Sequence, residues 1–352
     1  MPLFLLFKKM SKAYLFFLIA AITVFVFVAQ GVYLPADKSQ TEPRKIIVEK
    51  GQGGREIAQT LEEEGIIKWA PFFRVYVLTM DFQENLKAGE YDLSPSMNVP
   101  EIAERMVKGP VVKKEITIIE GWNLRDLGWH LEGRGISQAE ELFELVGFPA
   151  TDYSKVKDLP QPREFDFSFL ESKPDNVGLE GYLFPDTYEI LPKESLEDFV
   201  VRVLSNFEKK LEGDIRGEIS SQGKTVFEII TMASLIEKEV REQEDKELVS
   251  GVLWKRISSG MPLQVDATIG YITGKKTTKI SREETKVDSP FNTYKYKGLP
   301  LGPICNPGIE SIKAALYPKE SEFWYYLSTI EGETIFSRTL EEHNSAKAKY
   351  LK

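Results

Sequence analysis

Cysteine and histidine are nearly absent from this chain. Its 352 residues include one cysteine, Cys305, and two histidines, His130 and His343. A single cysteine excludes an intramolecular disulfide, so folding does not require an oxidising compartment. Two histidines leave little material for a histidine-rich metal site or for a Ser/His/Asp relay, and no cofactor is expected. If the chain is an enzyme, carboxylate chemistry is the expected kind.

The charge balance is acidic, with a formal net charge of -9. An acidic surface repels a phosphate backbone, which argues against DNA or RNA as a partner. It remains compatible with an uncharged or zwitterionic polymer.

One long apolar run lies near the N-terminus. Residues 13–34 carry no charge and would form a helix about 33 Å long, enough to span a bilayer core. Lys8, Lys9 and Lys12 precede it, so the positive-inside rule makes residues 1–12 a cytoplasmic tail and places the rest outside. A cleaved signal peptide is the alternative, but the run is long for one and no small-x-small site follows. The sequence predicts a single-pass anchor in the cytoplasmic (inner) membrane and an extracytoplasmic body.

The exported part contains an internal repeat at a shift of 70 residues. IIVEKGQGGREIAQTLEEEGII (46–67) matches ITIIEGWNLRDLGWHLEGRGIS (116–137), and each copy predicts a strand, a glycine turn, an amphipathic helix and a glycine stop. After a linker at 35–44, residues 45–111 predict a strand, two helices, a strand and a helix, a pattern that looks like the glycan-binding LysM module. Residues 112–352 would form a larger catalytic domain. The predicted fold class is α+β throughout.

An acid on an apolar helix face is the strongest candidate for chemistry. TVFEIITMASLIEKEVREQ (225–243) predicts one helix, and at 100° per residue Glu237 continues the stripe of Val226, Ile230, Ala233 and Ser234. Burial should raise the pKa of such an acid and suit it to general acid catalysis. The alternative is an ordinary helix salt bridge to Arg241. Glu239 points to another side and is expected to give electrostatic support.

Three further segments offer groups that could hold a sugar. In MPLQVDATIGY (261–271), an extended backbone would point Gln264, Asp266 and Thr268 the same way, with Tyr271 closing the segment. The loop FNTYKYKGLPLGPICNPG (291–308) offers Asn292, Tyr294 and Asn306. LEGYLFPDTYEI (179–190) contributes Glu180 and Tyr182, which could line the cleft or brace it. For the loop, plain turn chemistry is the competing interpretation.

These segments, together with ASLIEKEV (233–240) and TLEEHN (339–344), resemble the YceG-like family of endolytic lytic transglycosylases. The resemblance covers essentially the whole exported chain. It implies cleavage of the β-1,4 bond between N-acetylmuramic acid and N-acetylglucosamine within a peptidoglycan strand, with a 1,6-anhydro product end. It also implies that the catalytic acid is the first glutamate of ASLIEKE, Glu237. Peptidoglycan strands and cell-wall synthases would then be partners, and cleavage would end the growth of nascent strands.

Two other functions compete with this one. A glycan-binding scaffold for cell-wall synthases would explain two LysM-like units, but it would not need an acid on a buried stripe. A hydrolase that leaves reducing ends would need a second carboxylate, for which Asp266 or Glu180 is the candidate.

Overall fold

The computed structural model describes residues 12–110, 114–190, 194–275, 280–329 and 331–351. The chain divides into two compact units, one up to Lys113 and the other from Lys114. Most of the predicted cytoplasmic tail, residues 1–11, lies outside the described residues. The architecture is mixed α+β, as predicted, and the described strands pair into three two-stranded sheets.

The first unit begins with the apolar helix α1 (Lys12–Tyr33). Its stretch Tyr14–Tyr33 has a mean hydropathy of 2.5 and is long and apolar enough to cross a membrane. The anchor therefore remains a prediction that rests on length and composition.

The rest of this unit is a small module with the predicted element order. Its elements are β1 (Arg44–Val48), α2 (Gly54–Glu63), α3 (Ala70–Thr79), β2 (Gly89–Leu93) and α4 (Val99–Lys108). The two strands pair antiparallel, with Ile46 opposite Tyr91. The inward faces of the helices and both strands bury one apolar core, which includes Ile57, Leu61, Phe73 and Ile102. The likeness to LysM stays a prediction.

The second unit opens with the second copy of the repeat. It contains β3 (Lys114–Thr117), α5 (Leu124–Gly133), α6 (Ala139–Val146), β4 (Thr187–Ile190) and α7 (Leu196–Leu211). β3 pairs antiparallel with β4, as β1 does with β2. Gly65 and Gly135, at matching positions after the first helix of each copy, both take a left-handed backbone with φ of 68° and 62°. The duplication thus extends over a strand, two helices, a strand and a helix, further than sequence similarity alone indicates.

The remaining elements of the second unit form the larger part of its core. They are α8 (Asp214–Ser221), α9 (Val226–Glu239), α10 (Gln243–Ser258), α11 (Asp266–Thr273), α12 (Ile309–Leu316), β5 (Tyr325–Ser328), β6 (Thr334–Ser337) and α13 (Leu340–Tyr350). At the C-terminal end of this unit, β5 pairs antiparallel with β6 to form a hairpin, and α13 follows it. α9 runs through the core, and Ile229 to Ile236 are all buried.

The prediction of a single helix over 225–243 is wrong at its C-terminal end. α9 stops at Glu239, and Val240 is extended, with φ of -143° and ψ of 157°. The hydroxyl of Ser328 donates to the carbonyl of Glu239 at 3.2 Å, which satisfies one group left open by the helix end. That partner lies 89 residues away, so helix periodicity could not reveal it.

A close approach to α10 yields a stability prediction. A Cβ on Gly251 would lie 2.0 Å from the backbone carbonyl oxygen of Lys319. We expect Gly251→Ala to destabilise the second unit by about 2–3 kcal/mol and to lower its melting temperature by about 5–10 °C. The measurement is thermal unfolding of the detergent-solubilised chain. Gly217→Ala in α8 is the matched control, because a Cβ there meets nothing within 4 Å and should leave stability unchanged or higher. Equal melting temperatures for the two variants would contradict the prediction.

Candidate active site

The site is built at the C-terminal end of α9. Thr225 caps this helix with a capping box to Glu228, and the apolar residues that follow bury it. The loop before α12 docks on the helix: the Ile304 amide donates to the Ser234 hydroxyl at 3.0 Å, and the Cys305 thiol donates to the Ser234 carbonyl. Glu237 and Glu239 therefore leave the helix where several distant segments meet.

Glu237 is enclosed by donors from its own chain. One of its oxygens, Oε2, accepts from the Ser311 hydroxyl at 2.6 Å and from the Gly308 amide at 3.1 Å. The Lys246 ammonium lies 3.6 Å from the same oxygen, and the Glu237 and Lys246 side chains are only 9% and 4% exposed. The predicted burial of Glu237 is confirmed, but its ion-pair partner is Lys246 on α10 and not Arg241. These contacts join α9, α10 and α12.

Glu239 has a different environment. It is half-buried, and burial raises the pKa of its carboxyl to about 7; the negative charge of Asp266 adds to this, while a hydrogen bond from Tyr326 and the charge of Arg256 oppose it. A carboxyl group with a pKa near 7 is partly protonated at neutral pH and can act as a general acid. Tyr326 lies on β5, so the terminal hairpin supplies part of the site.

Asp266 and Tyr294 are also neighbours of Glu239. The Tyr294 hydroxyl donates to Asp266 Oδ1. Desolvation and this hydrogen bond raise the pKa of the Tyr294 hydroxyl, so it remains a donor. Asp266 is exposed and Tyr294 is half-buried, so both can be reached by a ligand that reaches Glu239.

Gln264 lies two residues before Asp266 and has an unusual backbone conformation. Its φ is 56°, in the left-handed region that residues with a side chain rarely adopt. The amide of Gln264 donates to the Thr293 carbonyl at 3.1 Å, and the Val265 amide donates to the Thr293 hydroxyl at 3.0 Å. The Gln264 side chain itself is exposed. Strain held by surrounding contacts in this way is common at functional sites.

Arg256 donates hydrogen bonds to two separate segments near Glu239. Its Nη1 donates to the Leu263 carbonyl at 2.7 Å and its Nε to the Trp324 carbonyl at 2.9 Å. The guanidinium also lies 5.1 Å from the centre of the Tyr325 ring. It therefore links the segment before Gln264 to the hairpin that carries Tyr326. Sequence reasoning missed Arg256, Tyr326 and Lys246, because charge within a helix pattern does not indicate a partner in a distant loop.

The prediction that Gln264, Asp266 and Thr268 lie on one extended face is wrong. Asp266 begins the helix α11, and the side chain of Thr268 turns inward. The Thr268 hydroxyl donates to the Val265 carbonyl at 2.7 Å and lies 3.1 Å from the hydroxyl of Thr293. The physical reason is that these inward hydrogen bonds close the first turn of the helix. Gln264 and Asp266 remain exposed, while Thr268 supports them from below.

The predicted site residues Glu180 and Tyr271 pair in the interior. Both are buried, and the Glu180 carboxylate accepts from the Leu124 amide at the start of α5 and from the Tyr271 hydroxyl. Burial raises the pKa of Glu180 to about 8. The Ala150 amide donates to the Tyr271 hydroxyl at 2.9 Å. A cavity of about 10 Å³ adjoins the pair, room for about one water and not for a sugar. Their hydrogen bonds join the start of α5, the segment at Ala150 and α11.

Asn292, Asn306 and Tyr182 are also interior residues. Asn292 donates to the carbonyls of Thr285 and Val287 and accepts the Tyr294 amide, which shapes the loop that presents Tyr294. Asn306 accepts the Leu183 amide at 3.0 Å and donates to the Trp122 carbonyl at 3.0 Å. Tyr182 is fully buried against Phe169 and Phe207. Of the residues predicted to bind substrate, the structure therefore brings Gln264, Asp266 and Tyr294 to the surface beside Glu239.

The described residues contain no group of three or more His, Cys, Asp or Glu side chains arranged to hold a metal ion. Glu239, Asp266 and Tyr294 bring carboxyl and hydroxyl groups together, as the sites of enzymes that act on carbohydrates do. Residues 46–349 match the model of the YceG-like family, and the chain belongs to that family.

Proteins of known name show the same relationship. An endolytic murein transglycosylase of Bacillus subtilis (strain 168) is 31% identical over 319 residues, which cover 90% of this chain and 87% of that protein. One of Streptococcus pneumoniae (strain D39) is 30% identical over 338 residues, 90% of this chain but 60% of the longer relative. A crystal structure of a YceG-like protein from Listeria monocytogenes superposes with a TM-score of 0.56 at 31% identity, covering 87% of this chain and 99% of that one.

The ion pair of Glu237 generates a prediction about stability. Lys246→Met should leave the buried Glu237 carboxylate without its cation and destabilise the second unit by about 3 kcal/mol. Glu237→Gln in the Lys246→Met background should recover part of that loss, because the amide needs no counter-charge. Thermal unfolding of the two single variants and the double variant measures the coupling. Additive losses would show that the two side chains do not act as a pair.

Proposed function

We propose that this chain is a membrane-anchored lytic transglycosylase of peptidoglycan. Its substrate would be the glycan strand, cut internally at the β-1,4 bond between N-acetylmuramic acid and N-acetylglucosamine to leave a 1,6-anhydro end. The names of the relatives, endolytic murein transglycosylase, support the reaction class. The observation that carries the proposal for this chain is the carboxyl group of Glu239, which lies near Asp266, Tyr294 and Tyr326 and has its pKa raised to about 7.

The proposed mechanism needs one proton-transfer group. Protonated Glu239 gives its proton to the glycosidic oxygen as the bond from C1 of the muramic acid breaks. The C6 hydroxyl of the same sugar attacks C1, and the resulting carboxylate of Glu239 accepts the C6 hydroxyl proton. The enzyme ends in its starting protonation state. No second carboxylate is needed to activate water or to attack the sugar, in contrast to glycoside hydrolysis.

Glu239 fits this role better than Glu237, the acid that the sequence favours. The Oε2 of Glu237 is occupied by Ser311, Gly308 and Lys246, all from its own chain, and 9% of its side chain is exposed. Glu239 accepts a hydrogen bond from Tyr326 and lies near the exposed carboxylate of Asp266, and its pKa is raised to about 7. We therefore assign proton transfer to Glu239 and a bracing role to Glu237.

Three exposed or half-buried groups would hold the sugar near this acid. Tyr294 keeps a hydroxyl donor, Gln264 offers an amide, and Asp266 offers a carboxylate oxygen to sugar hydroxyls. The negative charge of Asp266 also favours the protonated form of Glu239 and would stabilise the positive charge that develops at C1.

The cellular setting follows from the anchor. The N-terminus would lie in the cytoplasm and the second unit outside, where peptidoglycan is assembled. The LysM-like module would bind or position the glycan, and cell-wall synthases would be partners whose growing strands this enzyme terminates.

Matched glutamine variants distinguish the two acids. Glu239→Gln should reduce the rate of strand cleavage by about 10²–10⁴-fold, because the amide has no proton to donate. Glu237→Gln should retain most of the rate at a temperature where the variant is folded. The measurement is mass spectrometry of products from purified glycan strands, with the full chain in detergent.

The same experiment tests the reaction class. Anhydro-terminated products from the unmodified chain support the transglycosylase, whereas reducing ends would replace it with a hydrolase that uses Asp266 as second carboxylate. Undiminished cleavage by Glu239→Gln with loss in Glu237→Gln would move the acid to Glu237. No cleavage by the unmodified chain would favour the glycan-binding scaffold.

The raised pKa of Glu239 yields a pH prediction. A general acid works while it is protonated, so turnover should fall as pH rises through about 7. Asp266→Asn removes a charge that disfavours ionised Glu239, so the acid should ionise at lower pH and the alkaline limb should move to lower pH. The measurement is the pH profile of kcat, which separates this shift from weaker binding. A limb that moves to higher pH, or does not move, would contradict the assigned environment of Glu239.

A further inference from the structure

We propose that the helix α3 lies in the outer interface of the membrane, with its outward face against lipid. It would hold the small module flat on the bilayer beside the end of the anchor. The proposal rests on α1 spanning the membrane, and it concerns a surface that takes no part in the proposed chemistry.

The outward face of α3 exposes large apolar side chains together with Arg74 and Thr79. Val75 and Leu78 on this face are 42% and 54% exposed, and Trp69 and Met80 at its two ends are 47% and 45% exposed. The helix sequence APFFRVYVLT contains one charged residue, Arg74. Water is an unfavourable environment for large apolar side chains that are exposed close together.

The other two helices of the module do not share this property. The outward face of α2 carries Arg55, Glu56, Gln59 and Glu63, and that of α4 carries Glu101, Glu104, Arg105 and Lys108. Both are ordinary amphipathic helices of a water-facing module. Exposed large apolar side chains are therefore a feature of α3 alone among these three helices.

α3 packs closely against the candidate span, and α4 also contacts it. The Phe72 ring lies on Gly31, where a Cβ would be 2.2 Å from its Cε2 atom. The same ring meets Phe27 edge to face, with ring centres 5.6 Å apart. Val32 of α1 is buried in the core of the module. The start of α3 is thus attached to the last two turns of α1.

This attachment sets the depth of α3. Along the axis of α1, Gly31 and Phe27 lie about 3 Å and 9 Å from Tyr33, the end of the apolar stretch. If the stretch fills the bilayer core, Phe72 is within about 10 Å of its outer boundary, the depth at which interfacial helices lie.

In the alternative arrangement, the last turns of α1 lie in water. Because α3 packs against these turns, it would then lie in water too. The segment left to cross the membrane, Tyr14 to Val26, would then be about 20 Å long. The bilayer core is about 30 Å thick. Lengthening this segment at its other end would draw Lys12, Lys9 and Lys8 into the core, which is costly for charged groups. The segment Tyr14 to Val26 is too short to cross the bilayer core, which favours the arrangement in which α3 contacts lipid.

Spin labels on the full-length chain test the proposal. Leu78→Cys and the control Gln59→Cys on α2 each receive a nitroxide; native Cys305 is buried and should not label. The labelled chains are reconstituted in vesicles of phosphatidylcholine and phosphatidylglycerol. Collision rates with oxygen, which concentrates in lipid, and with a water-soluble nickel complex report the depth of each label. Leu78 is expected to favour oxygen by about tenfold relative to Gln59, since its label sits in the acyl region.

Two results would overturn the proposal. Equal nickel access at Leu78 and Gln59 would place α3 in water. Low access of both reagents at Leu78 would show that protein, either a second copy or another chain, covers the helix. Label depth and strand cleavage are separate measurements, so loss of one conclusion leaves the other standing.

Discussion

The second unit depends on the docking of the 304–311 segment onto the buried helix α9. The Ser234 hydroxyl accepts the Ile304 amide inside the core, and the Glu237 carboxylate accepts Gly308 and Ser311 one turn further along. An unpaired polar group at this depth would cost about 1–3 kcal/mol or more. Because each group has its partner, the helix end is held in one position, and the next acid in the sequence is presented at a defined place.

The two neighbouring acids at the end of α9 have different surroundings. Glu237 is held by a cation and two hydrogen-bond donors, and it joins three helices. Glu239 is the last residue of α9, and Val240 has already left the helix. Burial among the terminal hairpin, α10 and the start of α11 raises the pKa of its carboxyl group, and the charge of Asp266 adds to this, while Tyr326 and Arg256 oppose it. In our proposal, rigid support and proton transfer are assigned to acids that lie two residues apart.

Duplication explains much of the remaining architecture. Both units contain a strand, two helices, a pairing strand and a helix in the same order. In the first unit this motif buries its own core and receives the end of α1. In the second, the turn after β3 pairs with Asn306, through the Gly121 amide to the Asn306 carbonyl and the Asn306 amide to the Trp122 carbonyl. The same supersecondary motif therefore occurs twice. One copy follows α1 in the first unit, and the other contacts the segment at Asn306 in the second unit.

The sequence by itself determined the apolar helix at the N-terminus, the duplicated motif and the buried helix that carries two acids, because these features have local periodicity. It also singled out Gln264, Asp266 and Tyr294, which lie in segments dense in turn-forming and polar residues, and these are exposed or half-buried in the structure. Only the tertiary structure decided what surrounds each of the two acids. Helix phase pointed to Glu237, but Lys246, Gly308 and Ser311 occupy it, and Tyr326 and Arg256 lie beside Glu239. The environment of an acid depends on charges and donors brought from distant parts of the chain, and local periodicity carries no information about them.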